Sequence, residues 1–229
     1  WESYYENGQL NYKSNYKDGE KNGFQEEYYE NGQLSKKENY NGGEKYGLQE
    51  KYYENGQLSY KGNYKDGKRH GLGKGYYENG QLRWKQEFKE GWGEGLHKVY
   101  YENSQLVGAT NYKNGKRHGL SEQYYKNGEL KRKGRYINDK EHGLHEGYYE
   151  NGKLAYQDEF KDGNLYKNGQ LAFGVFEYFY SEDGQLKLKV NYKDGKKHGL
   201  TGRYYENGQL SYKGNYRDGR WHGLHEYFK

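Results

Sequence analysis

The sequence predicts an all-β protein: an elongated single-layer antiparallel β-meander of tandem 24-residue β-hairpins, twisted into an open trough. A Tyr-Tyr pair recurs every 24 residues, beginning at positions 4, 28, 52, 76, 100, 124 and 148. Each unit also contains two turn dipeptides, such as Asn55-Gly56 and Asp66-Gly67. These dipeptides are strong hairpin signals, because type I′ turns need positive φ at both central residues. The 36 Gly and absence of Pro fit many tight turns and uninterrupted strand pairing.

The unit that begins at Tyr52 shows where the strands should lie. One strand is predicted through 57–65 and the next through 68–78. If the first turn is a two-residue loop, Tyr53 should lie opposite Leu58.

The second turn predicts a further register. Around it, Tyr64 should lie opposite Arg69, and Gly62 should lie opposite Gly71. Glycines would then share a face with the aromatic side chains. A ring that lies over a neighbouring glycine buries both the ring and the backbone, which lets a single sheet gain packing.

Aromatic side chains supply the apolar surface of this chain. Hydrophobic residues make up only 31% of the sequence and charged residues another 31%, a composition that leans toward disorder. The 32 Tyr and 7 Phe oppose that interpretation, because each can bury a large ring. We therefore expect a folded protein.

Charge and cysteine content exclude several classes of protein. The 38 Lys and Arg exceed the 33 Asp and Glu by only five and are interspersed with them, which gives little support to nucleic-acid binding. The absence of Cys excludes disulfides, thiolate metal sites and cysteine nucleophiles. No segment approaches 18 consecutive apolar residues, so no transmembrane segment is predicted.

We interpret the chain as one repeat array over 1–229. Regular repeats are predicted for 4–160 and 184–229, with an irregular, shortened repeat at 161–183. In that stretch LYKNGQL returns too early, and SEDGQL carries one extra residue.

The repeated unit resembles the variant MORN repeat of bacterial proteins. The aromatic pair, Asn-Gly, Leu, aromatic, Asp-Gly-Lys and His-Gly steps are most complete at 52–72 and 204–224. This resemblance implies elongated β-hairpin arrays that contact proteins or membrane surfaces, many of them labelled as antitoxins. It brings no catalytic residues with it.

Neither a catalytic site nor a metal site is predicted, and no cofactor is expected. His70, His118, His142 and later histidines share one column, but equivalent positions in successive hairpins lie ~9.6 Å apart, too far to share a metal ion. The serines have no paired His and acid, and no phosphate-binding glycine motif occurs.

Partner contacts are expected where the repeat is irregular. Tryptophan is enriched at the centres of protein interfaces, and 172–180 is the most apolar segment. The alternative is that these side chains only cover a sheet face or compensate for a missing hairpin arm. We call the first tyrosine of each Tyr-Tyr pair an anchor tyrosine, and four of these complete the set of candidates. The candidates are Trp84, Trp92, Phe173, Phe176, Tyr178, Phe179, Tyr180, Tyr52, Tyr76, Tyr100 and Tyr124.

The leading hypothesis is a non-catalytic scaffold that binds another protein and neutralises an effector such as a toxin or nuclease. Two alternatives stay open: cell-wall or glycan binding, for which the four Trp lack a common period, and nucleic-acid binding through the Tyr and Lys columns. Self-association through the terminal strands is a further option.

The compartment is undetermined by the sequence. The cytoplasm is slightly favoured, although a cleaved signal peptide is compatible with a chain that begins at Trp1 and contains no Met.

Overall fold

The computed structural model describes residues 1–180 and 184–229. Among them it contains 22 strands and no helix, and the pairings between its strands are antiparallel, which confirms the predicted all-β meander. The strands group into two compact units, Trp1–Lys116 and Arg117–Lys229. The interpretation of 1–229 as one array stays a prediction.

The first unit contains eleven strands that follow the predicted hairpin order. They are β1 (Glu2–Tyr4), β2 (Leu10–Lys17), β3 (Glu20–Tyr28), β4 (Leu34–Asn41), β5 (Glu44–Lys45), β6 (Gly47–Tyr52), β7 (Leu58–Lys65), β8 (Lys68–Tyr76), β9 (Leu82–Lys89), β10 (Trp92–Tyr100) and β11 (Leu106–Lys113).

The second unit contains the remaining strands, the first of which begins at the unit boundary. They are β12 (Lys116–Tyr124), β13 (Leu130–Ile137), β14 (Lys140–Tyr148), β15 (Leu154–Lys161), β16 (Asn164–Lys167), β17 (Gln170–Leu171), β18 (Gly174–Phe179), β19 (Leu186–Lys193), β20 (Lys196–Tyr204), β21 (Leu210–Arg217) and β22 (Arg220–Tyr227). Strands β18 to β22 form a five-stranded sheet of their own.

The first turn of each unit is wider than the two-residue loop expected. Tyr52, not Tyr53, lies opposite Leu58, so the predicted Tyr53–Leu58 pairing is wrong. The Tyr53 N–H instead donates to the Gln57 carbonyl at 2.8 Å, which closes a five-residue loop. A side chain adds to this loop, because the Asn55 carboxamide oxygen accepts from the Gln57 N–H at 2.9 Å.

The strand register predicted around the second turn is correct next to the turn and wrong further along the strands. Tyr64 lies opposite Arg69 as predicted, but Gly62 does not pair with Gly71. After the Asn63–His70 pair, the register shifts so that Lys61 faces Lys74. Gly71 has a φ of 72°, which only glycine adopts readily, and it creates a β-bulge in the second strand.

Aromatic rings lie over glycines, as expected. A Cβ added at Gly75 would overlap the Trp84 indole, and one added at Gly147 would overlap the Tyr156 ring. Both glycines are buried. Close approach of ring and backbone therefore provides much of the packing within each sheet.

A ladder of tyrosine hydroxyls connects successive repeats. The Tyr53 hydroxyl donates to the Tyr76 carbonyl at 2.7 Å, and the Tyr180 hydroxyl donates to the Tyr204 carbonyl at 2.7 Å. Equivalent bonds are made by Tyr5, Tyr29, Tyr77, Tyr125 and Tyr205. The second tyrosine of these pairs thus has a structural role.

A buried polar column runs through both units. Ser14, Glu38, Gln86 and Asp158 occupy the same position of the repeat and are at most 6% exposed. A buried polar group needs hydrogen-bond partners. Glu38 and Gln86 find them on the next strand, in the Lys45 ammonium and the Glu94 carbonyl.

The predicted irregular repeat is where the second unit changes sheet. β15 pairs with β16 only over Glu159–Lys161, and the chain then turns back into β17. Leu165 and Ala172 are almost fully buried there, and the Leu165 N–H donates to the Gly195 carbonyl at 2.9 Å. The residues at 181–183, including part of the predicted extra-residue turn, lie outside the described residues.

Candidate binding site

One exposed apolar side chain recurs in the second strand of every hairpin. In a regular repeat Leu72 is 38% exposed, and its counterpart Leu144 is 55% exposed. We call this set the apolar row. In the first unit it consists of Phe24, Leu48, Leu72 and Leu96, and in the second unit of Leu120, Leu144, Val175, Leu200 and Leu224.

The β-bulge presents the apolar row to solvent. Each member follows a glycine with positive φ, such as Gly71 before Leu72 or Gly174, at 104°, before Val175. The bulge re-aims the side chain that follows it, which is a common use of bulges near binding surfaces. The His-Gly-Leu step therefore has a structural explanation.

The irregular segment adds further apolar surface to the second unit. Phe173 is 77% exposed, and Val175 and Phe179 are also exposed. Phe176 and Tyr178 alternate with them and are half-buried. One side of β18 therefore packs inward, and the other exposes Val175 and Phe179 on either side of Glu177. Both earlier interpretations of this segment remain predictions.

The second unit contains a cavity of about 380 Å³ beside the irregular repeat. Side chains of β13, β14 and β15 form one part of its lining, and side chains of β18, β19 and β20 form the other. The shortened pairing of β15 leaves room here that a complete hairpin would fill.

Asp158 is the buried acid of this cavity. Its carboxylate accepts from the Tyr178 hydroxyl at 2.8 Å and forms an ion pair with the Lys167 ammonium at 2.6 Å. The residue is 4% exposed. Both partners belong to the irregular segment, so Asp158 connects that segment to the regular strands before it.

Tyrosine rings form the walls of the cavity. The Tyr156 and Tyr178 rings meet edge to face at 5.3 Å between centroids. Burial raises the pKa of Tyr178 far above its usual range, and the Asp158 carboxylate raises it further. Burial likewise raises the pKa of Tyr192. These hydroxyls stay protonated and can donate hydrogen bonds.

Lysines are also partly buried in the lining. Burial lowers the pKa of Lys187, repulsion from Lys131 lowers it further, and the Glu206 carboxylate opposes the effect. Burial also lowers the pKa of Lys197, with repulsion from Arg203 adding to the effect and Glu141 opposing it. Positive charges are therefore held where they are incompletely solvated.

A family comparison agrees with this repeat geometry. The model of the MORN repeat variant matches nine segments, which together cover most of the chain: 1–18, 21–41, 45–66, 69–90, 93–114, 117–138, 141–162, 177–194 and 197–218. The chain belongs to the MORN repeat variant family. The matches stop at 162 and resume at 177, around the irregular repeat.

MORN repeats form scaffolds that are generally non-catalytic and that often mediate contacts with proteins or membranes. A comparison with curated proteins finds no match. In the described part of the chain, no helix has the length and hydropathy needed to cross a membrane. Within the same residues, no group of three or more acidic or histidine side chains is arranged to hold a metal ion.

The two tryptophans predicted as anchors have different surroundings. Trp84 is half-buried over Gly75 and lines a second cavity, of about 500 Å³, in the first unit. Trp92 is 64% exposed. Their roles in binding remain predictions, and Trp92 is the more accessible of the two.

The remaining candidates also separate into accessible and packed groups. Phe173 and Phe179 are exposed, whereas Phe176, Tyr178 and Tyr180 are half-buried beside or within the cavity lining. The anchor tyrosines are all half-buried, namely Tyr52, Tyr76, Tyr100 and Tyr124. The Tyr52 hydroxyl, for example, donates to Glu50 at 3.0 Å.

The sequence analysis missed the charged residues of the cavity. Asp158 stands in a column where most repeats have neutral residues such as Ser14 and Gly62 and one has Glu38, and it directly precedes the shortened repeat. We call the leucines that begin the first strand of each hairpin, such as Leu130, Leu154 and Leu186, the Leu column. Lys187 follows Leu186 in that column, whereas Ala155 follows Leu154. Only the fold shows that these departures meet at one cavity.

Proposed function

We propose that this MORN repeat protein is a scaffold that binds another protein. The apolar row carries the proposal: the same exposed side chain recurs in each unit, for example at Leu48, Leu72 and Leu96. Repetition along a sheet gives an extended contact surface, and apolar surface is the main source of association free energy. The second unit adds exposed Phe173 and the cavity.

The first experiment compares partner capture by the wild-type chain and by variants of the apolar row. The purified chain, tagged and incubated with extract of its host, should retain a protein that is identified and then shown to bind when purified. Leu144→Ser with Leu200→Ser should reduce that binding at least tenfold. Leu154→Ser is the matched control, because Leu154 is 52% exposed and lies outside the row.

Recovery of lipid, glycan or nucleic acid alone would contradict a protein-binding function. Equal loss of binding in the double variant and in Leu154→Ser would show that the row is not the contact surface. Circular dichroism and thermal unfolding of each variant exclude loss of fold as the cause.

We further propose that binding neutralises an effector, as the family resemblance implies. An extended surface can cover an active site without chemistry of its own, so inhibition requires only binding. Once the partner is purified, its activity should fall with increasing wild-type chain and much less with the Leu144→Ser, Leu200→Ser variant. Binding without any change in activity would leave a scaffold but no inhibitor.

Nucleic-acid binding has less support because the Lys column is largely ion-paired. Lys61 contacts Glu50 at 3.1 Å, and Lys133 contacts Glu146 at 2.6 Å. The column residues Lys13, Lys37 and Lys213 also have glutamate partners. Phosphate contacts would have to compete with these pairs.

A further inference from the structure

Among the described residues, the lining of the second unit's cavity carries more positive than negative charge. Lys131, Arg132, Lys187 and Lys197 face two acids, Glu141 and Asp158. Asp158 is already paired with a lysine of the irregular segment. The described residues place no carboxylate within ion-pair distance of Lys131, Lys187 or Lys197.

Lys131 and Lys187 reach the same cavity because each occupies the position directly after the Leu column in its repeat. Lys131 lies over the Tyr125 ring at 5.0 Å, and Lys187 lies over the Tyr180 ring at 5.1 Å. Ala155 occupies the same repeat position and lines the same cavity. Its short side chain leaves space where a longer one would fill the cavity.

Two strand edges beside the cavity have no strand partner among the described residues. β15 pairs with β16 only from Glu159 onward, and in the stretch before it the Lys167 ammonium donates to the Gln157 carbonyl at 3.0 Å. β18 pairs with β19 on one side only. Free edges expose N–H and C=O groups that a peptide backbone can use but a small acid cannot.

We propose that this cavity receives the carboxylate side chain of an Asp or Glu from a polypeptide partner. The inference rests on the proposed protein-binding function and names the chemistry of the partner at one site. Lys131 and Lys187 supply the charge, and the rings pack against the methylene groups of the acidic side chain. The Tyr192 hydroxyl supplies a donor, whereas the Tyr178 hydroxyl already donates to Asp158.

The lining suits a carboxylate better than a phosphate. Phosphate sites are commonly built from bidentate arginines or from backbone N–H groups at helix N-termini and glycine-rich loops. Arg132 is the only arginine among the described residues of this lining. Burial raises the pKa of Tyr156, and the charge of the Arg132 guanidinium opposes that rise. The described residues contain no helix.

The test titrates the full chain with three probes, followed by NMR or calorimetry. The probes are a terminally blocked Gly-Ala-Glu-Ala-Gly peptide, the same peptide with Gln in place of Glu, and inorganic phosphate. We expect the Glu peptide to bind at least tenfold more tightly than the Gln peptide and more tightly than phosphate. Sodium acetate should compete only at much higher concentration.

Two variants locate the binding, and a third is the control. Lys187→Gln should weaken binding of the Glu peptide about tenfold, and Ala155→Leu should do the same by filling the cavity with the charges unchanged. Arg83→Gln should have no effect, because Arg83 occupies the same repeat position over Tyr77 but lines the cavity of the first unit. Unchanged thermal unfolding shows that each variant is folded.

Equal binding of the Glu and Gln peptides, tighter binding of phosphate, or acetate as strong as the Glu peptide would overturn the proposal. So would capture of the protein partner that is unaffected by both Lys187→Gln and Ala155→Leu, although the proposed scaffold function would then stand. Failure of the wild-type chain to bind any protein contradicts the scaffold function instead, and the peptide titration is independent of that result.

Discussion

Two buried acids in the same column of the repeat, Glu38 in the first unit and Asp158 in the second, have different surroundings. Glu38 accepts from the Lys45 ammonium at 2.6 Å and from the Tyr40 hydroxyl at 2.9 Å. Asp158 has a lysine and a tyrosine as well, but both come from the irregular segment. The acids are equally buried, at 4% exposure each.

The strand that follows each acid accounts for the difference. After β4, both β5 and β6 pair with it, so the edge beside Glu38 is covered. After β15, the single short strand β16 covers only the far end. The same position of the repeat therefore holds an acid in a covered ion pair in the first unit and an acid in the wall of a cavity in the second.

The neighbouring cross-strand pair differs as well. Beside Glu38 it is the ion pair of Lys36 with Glu27, whereas beside Asp158 it is the Tyr156 ring over Gly147. The first pair is held by charge at a partly exposed surface, and the second by close packing. Substitutions at these positions should therefore lower the free energy of unfolding by unequal amounts.

The largest effect is expected at Gly147. Gly147→Ala places a Cβ within the Tyr156 ring, and the displaced ring should lower the free energy of unfolding by about 3 kcal/mol. Glu27→Ala, at the matching position, should cost below about 1 kcal/mol because its ion pair is partly exposed. Urea unfolding measures both, and similar losses would remove the distinction between the two sites.

Removal of the lysine partner should have the next largest effect. Lys167→Met leaves the buried Asp158 carboxylate with one tyrosine donor and should cost about 2 kcal/mol. Lys45→Met should cost about 1 kcal/mol, because Lys36 still lies 3.6 Å from Glu38. The comparison again uses urea unfolding, and a larger loss for Lys45→Met would contradict it.

The sequence predicted what depends on local turns and periodicity. Turn dipeptides such as Asp66-Gly67 located the strands, and the Tyr64–Arg69 register followed from one of them. The bulge at Gly71 was missed, because a positive φ after His is not marked by a turn dipeptide. The cavity was missed because it depends on contacts between segments distant in sequence, such as the bond from the Leu165 N–H to the Gly195 carbonyl and that from the Tyr178 hydroxyl to Asp158.

Acid pH should distinguish Glu38 from a neutral replacement. Hydrogen bonds from Lys45 and Tyr40 outweigh burial and lower the pKa of Glu38, so its stabilisation is present above its unfolded pKa and is lost as pH falls through the folded value. Glu38→Gln should cost about 1.5 kcal/mol at neutral pH. The difference from wild type should shrink as the pH is lowered toward and below the unfolded value. A constant difference across the pH series would show that ionisation of Glu38 is not its source.

The smallest effect tests a feature that the two regions share. The Tyr53 and Tyr180 hydroxyls each donate to the next anchor carbonyl at 2.7 Å, although Tyr180 lies beside the irregular repeat. Tyr53→Phe and Tyr180→Phe should each cost about 1 kcal/mol, since each removes one hydrogen bond and keeps the ring. Equal losses in urea unfolding would show that the ladder is intact across the irregularity. A much smaller loss for Tyr180→Phe would show that the irregular segment is held by Asp158 and its partners alone, and the cavity would then have one mobile wall.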